Sequence, residues 1–146
     1  MVKLLPFEKF EDIYTKVPRL CVDIIIRGDD GVLLAKRDIT PAKGMWHIPG
    51  GTVLWGETNK QAVKRIAKKE LSLEVAAFSP LGIIEYSPKH AFGQSTSIVY
   101  VVAVLGGILK GSKEGKEVKF FKKIPKNTIP EQAEFLSEKF GFKYEK

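Results

Sequence analysis

The segment from Trp46 to Leu73 constrains the fold most, because it joins a glycine-rich loop to a capped helix. Two successive glycines, Gly50 and Gly51, mark a sharp turn or a place where a ligand approaches the backbone closely. Thr58 is followed three residues later by Gln61, the pattern of a capping box, so a helix should begin at Thr58. We therefore predict a strand–loop–helix unit whose helix buries one apolar stripe, formed by Ala62, Val63, Ile66, Ala67 and Leu71.

Charged groups in this segment are spaced to suit a cation and a phosphate. Five residues separate Gly51 from Glu57, seven more lead to Arg65, and Glu70 follows on the same helix. A hard divalent cation can be held between a loop carbonyl and a carboxylate while it bridges phosphate oxygens. Glu57 precedes the helix, where an acid interacts favourably with the positive end of the helix dipole. The segment therefore indicates metal-assisted chemistry on a phosphate-bearing ligand.

Strands and helices alternate along the chain without a regular βαβ period. We predict helices from 7 to 17, 58 to 71 and 130 to 141, and strands at 19–27, 32–36, 74–78, 82–86, 95–105 and 118–121. Gly28 to Gly31 should form a hairpin turn. The continuous apolar run from Ile98 to Leu105 predicts a central strand covered on both faces. The expectation is an α/β (α+β) fold in which a mixed sheet lies between helices, an α/β/α sandwich.

Length and composition restrict the class of protein. The 146 residues fit a single domain, 1–146. A net charge of +7 favours phosphate-bearing partners, without separating nucleotides from nucleic acids. No apolar run approaches the roughly 20 residues that span a bilayer, and the N-terminus does not read as a signal peptide. Cys21 is the only cysteine and lies in an apolar run, so we expect a buried thiol, a cytoplasmic setting and no membrane partner.

The helix segment resembles the Nudix box, at about 51–73. Gly51, Glu57, Arg65, Ala67, Glu70 and Leu73 match its pattern. Ile66 and Lys69 stand where the box has two further helix glutamates, and Ser72 stands where it has a glycine. The resemblance implies a Nudix-type sandwich and a Nudix hydrolase. The replacements leave Glu70 as the one helix glutamate for metal, which puts ordinary multi-metal attack at phosphorus in doubt.

A reduced box of this kind is similar to that of the GDP-mannose mannosyl hydrolases, a branch of the same superfamily. Leu33 to Arg37, Pro41 to Trp46 and Val22 to Ile24 also look like that branch. Its members attack the anomeric carbon of the sugar and release the nucleoside diphosphate. The resemblance implies a Mg²⁺-dependent hydrolase of a nucleotide sugar like GDP-mannose or GDP-glucose. Mn²⁺ is the alternative cation, a small nucleotide is the substrate, and a homodimer is the implied assembly.

The resemblance also implies roles for individual residues. The Gly51 carbonyl and Glu70 would bind the metal, and Arg37 would stabilise charge on the leaving diphosphate. Glu57 and Arg65 would hold the loop against the helix. The remaining residues assigned by resemblance or by nearness to the box are Asp23 as a catalytic group and Gly50, Lys69 and Tyr100 as substrate-binding groups.

The family's Gln-His pair, a metal ligand and a general base, has no counterpart here. It aligns near Glu114 and Gly115, so Glu114 is the candidate ligand and no histidine is present. His47 is expected on a strand next to the box, and we expect it to face away from the site. His90 lies in a predicted loop and is the candidate catalytic histidine, since loops often carry catalytic groups.

Two alternatives remain at this stage. One is a Nudix pyrophosphatase that attacks phosphorus of another nucleoside diphosphate derivative with a substitute base. The other, of a different class, is a catalytically degenerate domain that binds nucleotide or RNA without turnover, although a nucleic-acid partner is not our primary expectation.

Overall fold

The computed structural model describes residues 3–40, 42–88, 93–112 and 117–146. In chain order the elements are α1 Phe7–Tyr14, β1 Arg19–Ile25, β2 Arg27–Gly28, β3 Gly31–Lys36, β4 Trp46–His47, β5 Gly50–Thr52, α2 Asn59–Leu71, β6 Leu73–Tyr86, β7 Ser95–Gly107, β8 Glu117–Phe121 and α3 Pro130–Phe140. Among these residues, no helix is both long enough and apolar enough to cross a membrane.

The main sheet is mixed, as the sequence predicts. Its strand order is β5-β1-β7-β6, with β1 and β7 parallel and the other neighbours antiparallel. β7 lies between β1 and β6, which confirms its predicted central position. The predicted cover on both faces is wrong at the end of the apolar run, where Val104 and Leu105 are 48% and 69% exposed. A second sheet contains β2, β3 and β4, and β8 pairs with β3. The hairpin turn at Asp29 and Asp30 joins β2 to β3, also as predicted.

Two apolar cores lie on opposite faces of the main sheet, because side chains alternate along each strand. Val22 and Ile24 of β1 pack with the apolar stripe of α2. Ile25 packs in the other core, with Phe135 and Leu136 of α3. β1 therefore ties both layers of helices to one strand, and the remaining side chains on its second face are available to a cavity.

Local signals place the ends of α2 and α3 correctly. Thr58 accepts a hydrogen bond from the Gln61 backbone, and the Gln61 side chain accepts one from the Thr58 backbone. Pro130 begins α3, and Gly141 ends it in the left-handed conformation. The first helix is shorter than predicted and ends at Tyr14 rather than near Val17.

The predicted break between strands 74–78 and 82–86 is wrong. β6 is one strand of 14 residues, with register shifts on either side of Pro80. Because β6 is an edge strand of the main sheet, a proline can occupy a bulge there without breaking the ladder. Pro80 thus marks a bulge and not the end of a strand.

Candidate active site

A cavity of about 710 Å³ opens beside the glycine-rich loop. It is lined by side chains from α1, β1, α2 and α3, from the end of β6 and from the segment that follows β3. The residues predicted from the sequence that the fold brings together on its wall are Asp23, Arg37, Gly50, Gly51, Arg65, Lys69 and Glu70. This convergence makes the cavity the candidate active site.

Asp23 is the most deeply placed of these groups. It belongs to the face of β1 that also carries Arg19 and Cys21, and its side chain is only 5% exposed. The Tyr86 hydroxyl donates a hydrogen bond to its Oδ2 atom. A Cβ atom at Gly50 would overlap the Asp23 Oδ1 atom, so this position requires glycine for the approach of β5 to β1.

A chain of hydrogen bonds fixes Tyr86 and through it Asp23. The Gln132 side chain donates to the Tyr86 hydroxyl at 2.7 Å and accepts from the Ile48 backbone at 2.6 Å. Burial raises the pKa of Asp23 from 3.8 to about 6, although the hydrogen bond from Tyr86 acts in the opposite direction. Burial and the neighbouring Asp23 charge raise the pKa of Tyr86 well above its usual value. At neutral pH this site therefore holds an ionised but basic carboxylate.

His47 also lines the cavity, which corrects the expectation that it faces away. Burial lowers the pKa of His47 from 6.5 to about 4. A hydrogen bond to Ile48 opposes this shift, and the Arg37 charge makes a smaller contribution that lowers the pKa further. Its Nδ1 atom lies 2.9 Å from the Ile48 carbonyl oxygen. Because a carbonyl oxygen only accepts, Nδ1 carries the proton and Nε2 is an acceptor. The orientation of His47 could not be predicted from the sequence, because β4 has only two residues and shows no alternation.

The helix α2 presents a single carboxylate to the cavity. Lys69 and Glu70 lie on its wall, and the Ser112 hydroxyl donates a 2.6 Å hydrogen bond to the Glu70 Oε2 atom. Ile66 also reaches the wall but is only 3% exposed and belongs to the core under α2. A Cβ atom at Gly51 would lie 3.2 Å from the Ile66 side chain, so the loop packs directly on this residue.

Glu57 and Arg65 form the ion pair expected between loop and helix. The Arg65 Nε atom lies 2.7 Å from the Glu57 Oε2 atom, and the guanidinium also donates to the Thr52 carbonyl at 2.8 Å. The Leu54 backbone donates to Glu57 at 2.9 Å. Burial alone would raise the pKa of Glu57, but the hydrogen bonds from Arg65 and Leu54 hold it below its usual value. The Glu57 side chain is only 3% exposed, so the role of its carboxylate is to hold the loop against the helix.

One residue assigned from the sequence lies away from the cavity wall, and two others cannot be located relative to it. Tyr100, predicted as a substrate-binding group, is 5% exposed and packs in the core beneath α2, and it is not among the residues that line the described cavity. A tyrosine within an apolar strand shows no sequence signal for which face it occupies. His90 and Glu114 lie outside the described residues.

The donors at the wall fit a magnesium ion that is shared with substrate. In the part of the chain that the structure describes, no group of three or more His, Cys, Asp or Glu side chains is placed to hold a metal. Mg²⁺ commonly binds one or two carboxylates together with substrate phosphates and water, so it does not need such a group. Glu70 and Gly51 both line the cavity, so the Glu70 carboxylate and the Gly51 carbonyl would be the oxygen donors for such an ion.

Comparison with known proteins gives the family. The NUDIX domain model matches residues 17–140. An ADP-ribose pyrophosphatase of Methanocaldococcus jannaschii is 40% identical over 116 residues, which cover 80% of this chain and 67% of that protein. The low-salt glycan biosynthesis protein Agl8 of Haloferax volcanii is 43% identical over 82 residues, 56% of this chain and 53% of that one. The chain thus spans about two thirds of the first relative and about half of the second.

Solved structures agree on the fold. A MutT Nudix hydrolase from Burkholderia pseudomallei has a TM-score of 0.62 at 26% identity, covering 72% of this chain and 83% of that one. With the family match over most of its length and the cavity built around the glycine-rich loop and α2, the chain belongs to the Nudix family of hydrolases.

Proposed function

We propose that this chain hydrolyses a nucleoside diphosphate sugar, with water attacking the anomeric carbon and the nucleoside diphosphate leaving. The single observation that carries the proposal is that α2 offers one carboxylate, Glu70, to the cavity. The other box positions on that wall are Ile66, which is buried, and Lys69, which is a cation. With one metal-binding acid on the helix, the site suits a single cation that neutralises a departing diphosphate. It suits less well an attack at phosphorus that several cations assist.

The charged side chains on the cavity wall support this proposal. The Lys69 ammonium neighbours Glu70 in the sequence, and both groups line the cavity. Like charges repel at close range, so Lys69 disfavours a second cation and favours the diphosphate itself. Arg37 adds a guanidinium that can grip two phosphate oxygens at once. One Mg²⁺, held by Glu70 and the Gly51 carbonyl, would supply further neutralisation of the diphosphate.

Asp23 is the proposed general base. Its carboxylate accepts a proton from water as the water oxygen bonds to the anomeric carbon. The bond from that carbon to the diphosphate oxygen breaks, and its electron pair leaves with the nucleoside diphosphate. A pKa of about 6 suits a base at neutral pH, because the group is ionised yet more basic than an ordinary aspartate. Arg37 stabilises the charge that grows on the leaving oxygens.

The relatives are consistent with this substrate class. One relative's name places it in glycan biosynthesis, and the other acts on ADP-ribose, which is itself a diphosphate joined to a nucleoside and a sugar. A second candidate is favoured by the 40% identity to that ADP-ribose pyrophosphatase, namely attack at phosphorus. The two reactions share a substrate class and differ in which bond breaks.

The test is a screen of nucleotide sugars and ADP-ribose with Mg²⁺ and with Mn²⁺, in which products are identified by mass. Free sugar and nucleoside diphosphate support attack at carbon. Sugar phosphate and nucleoside monophosphate support the second candidate. Nucleotide binding without turnover at millimolar Mg²⁺ would contradict both and favour a degenerate binding domain.

The assignment of Glu70 is tested by Glu70→Gln. We expect activity to fall at least about a hundredfold with the fold retained, because the amide keeps the shape but loses the charge that holds Mg²⁺. The matched control is Glu74→Gln, whose wild-type side chain is 68% exposed and does not line the cavity. Unchanged turnover and metal dependence in Glu70→Gln would remove Glu70 from the site.

A further inference from the structure

One part of the cavity wall is apolar and is not used by the proposed chemistry. It comes from two separate segments, the residues before and within α1 and the loop between β5 and α2. Its side chains include Leu4, Phe7, Phe10, Tyr14 and Trp55. None of the α1 residues is fully buried, so this helix does not hold its apolar face in the core.

Trp55 is the most exposed of these side chains. It is 94% exposed, and among the described residues it has neither a ring contact nor a cation over its ring. An indole is a large, rigid apolar surface, and the exposure of Trp55 on the cavity wall leaves its ring face available to a ligand.

The loop that carries Trp55 is held in place. Glu57 accepts from the Leu54 backbone at 2.9 Å, and the Glu57 backbone donates to the Leu54 carbonyl at 3.0 Å. Arg65 anchors the same carboxylate at 2.7 Å. The ion pair of the box thus fixes a short turn with Trp55 inside it. An aromatic platform on a fixed turn loses little conformational entropy when a ligand stacks on it.

The α1 segment supplies the second aromatic surface. The Phe10 ring lies 4.8 Å from that of Tyr14 and 6.5 Å from that of Phe7, between ring centroids. The Arg19 guanidinium lies 5.6 Å from the centre of the Phe10 ring. Phe7 and Leu4 are 66% and 61% exposed although they line the cavity. This face is a continuous row of rings on the wall of the same cavity.

We infer that Trp55 is a stacking platform for the nucleobase, and that the aromatic face of α1 covers the same subsite. The inference rests on the proposed function, in that the ligand is a nucleotide. The cavity wall carries charged groups, among them Arg37, Lys69 and Asp23, as well as the aromatic rings, and a nucleoside diphosphate sugar likewise joins a charged diphosphate to an aromatic base. Bases stack readily on aromatic side chains.

Fluorescence gives a readout that does not depend on turnover. The chain has two tryptophans, so Trp46→Phe leaves Trp55 as its only indole. GDP and ADP are the nucleotide probes, and inorganic pyrophosphate is the probe without a base. We expect GDP and ADP to quench the Trp55 emission of this variant with saturation, and pyrophosphate to leave it nearly unchanged.

The binding energy is tested with Trp55→Leu, which keeps an apolar side chain but removes the ring. We expect affinity for GDP and ADP, measured by calorimetry, to fall about fivefold to a hundredfold. Affinity for pyrophosphate should not change. Ile108→Ala is the matched control, since Ile108 is 86% exposed and does not line the cavity.

The outcomes separate this inference from the proposed function. Unchanged nucleotide affinity in Trp55→Leu overturns it, and so does the absence of quenching by either nucleotide at millimolar concentration. An equal loss for pyrophosphate also overturns it, because the variant would then have damaged the diphosphate site. Quenching by nucleotides without hydrolysis of any nucleotide sugar would contradict the proposed function but would still support Trp55 as a stacking platform.

Discussion

Asp23 is a residue whose ionisation opposes folding. Its pKa rises from 3.8 to about 6 in the folded protein, because burial disfavours the charged form. A group with a raised folded pKa stabilises the native state below pH 3.8, and that contribution is lost as the pH rises through 6. At neutral pH the protein therefore carries an unfavourable buried charge, as expected for a group kept for function.

Asp23→Asn should stabilise the protein at pH 7.5 and inactivate it. The neutral amide can still accept from Tyr86, and removing the charge should raise the free energy of unfolding by up to about 3 kcal/mol. At pH 4 the gain should largely vanish. Urea unfolding at both pH values measures this, with Asp12→Asn as control, since Asp12 is 70% exposed. Equal destabilisation at both pH values would contradict the buried-charge account.

The contribution of His47 to folding stability changes with pH in the opposite direction. The effect of Asp23 must therefore be measured as the difference in unfolding free energy between Asp23→Asn and wild type. Its pKa falls from 6.5 to about 4 on folding, and burial is the main cause. A depressed pKa means that stability is present above pH 6.5 and is lost as the pH falls towards 4. In wild type the two contributions partly cancel between these limits. His47 is present in both proteins, so its contribution cancels when their free energies of unfolding are subtracted.

Arg37→Ala should lower kcat more than it raises KM. The diphosphate acquires charge mainly in the transition state, so a guanidinium aimed at it should assist turnover more than binding. Loss of such a donor typically costs about two to three decades in rate. Arg37→Lys should recover only part of this, because an ammonium cannot form two parallel bonds.

The control for Arg37 is Arg27→Ala. Arg27 is exposed and lies over the Phe140 ring, 4.7 Å from its centre, and it does not line the cavity. Steady-state kinetics on the best nucleotide sugar gives both constants. An increase in KM with kcat retained would make Arg37 a binding residue and withdraw its role in leaving-group departure.

At the scale of elements, α2 ends on a residue that is poorly suited to its backbone. Ser72 has φ of 59°, in the left-handed region, at the position where the Nudix box has glycine. Glycine adopts this conformation without the steric cost that a Cβ atom brings. The departure from the box pattern therefore carries a local strain at the helix end.

Ser72→Gly should stabilise the protein by about 0.5 to 1 kcal/mol, because relief of strain outweighs the added freedom of the unfolded chain. Urea unfolding is the measurement. Ser137→Gly is the matched control of opposite sign, since Ser137 lies inside α3, where glycine should cost about as much. Destabilisation by Ser72→Gly would show that the serine side chain is needed at this end.

The elements that could be predicted from the sequence are those with local signals. The capping box at Thr58, the hairpin at Asp29–Asp30 and the Pro130 and Gly141 boundaries each depend on neighbouring residues alone. The continuity of β6 through Pro80 could not be predicted, because it depends on β6 being an edge strand.

The same limit applies to the site. Asp23, Arg37, Lys69 and Glu70 were identified by their place in a motif or beside one, and all reach the cavity. Tyr100 lies in the core beneath α2, and His47 lines the cavity although the sequence predicts that it faces away. The face that a strand residue occupies is decided by packing with distant elements, so local sequence does not reveal it. The Tyr86–Gln132 link to Asp23 joins β6, α3 and β1 and has no trace in local sequence.

At the scale of the whole molecule, the cavity is where separate layers meet. Asp23 comes from the main sheet, Arg37 follows a strand of the second sheet, and Glu70 comes from α2. Aromatic side chains of α1 lie on the same wall. A positive net charge of +7 makes the molecule as a whole attractive to a diphosphate. The fold thus brings residues that are distant in sequence together in one site, which suits a ligand with a charged diphosphate and an aromatic base.

Hydrolysis in ¹⁸O-labelled water tests the central claim most directly. The nucleotide sugar turned over fastest is hydrolysed to completion with Mg²⁺, and the products are weighed by mass spectrometry. Attack at the anomeric carbon puts the label in the released sugar and leaves the nucleoside diphosphate unlabelled, which is the result we predict. Label in a phosphate group, with nucleoside monophosphate and sugar phosphate as products, would show attack at phosphorus and contradict the account.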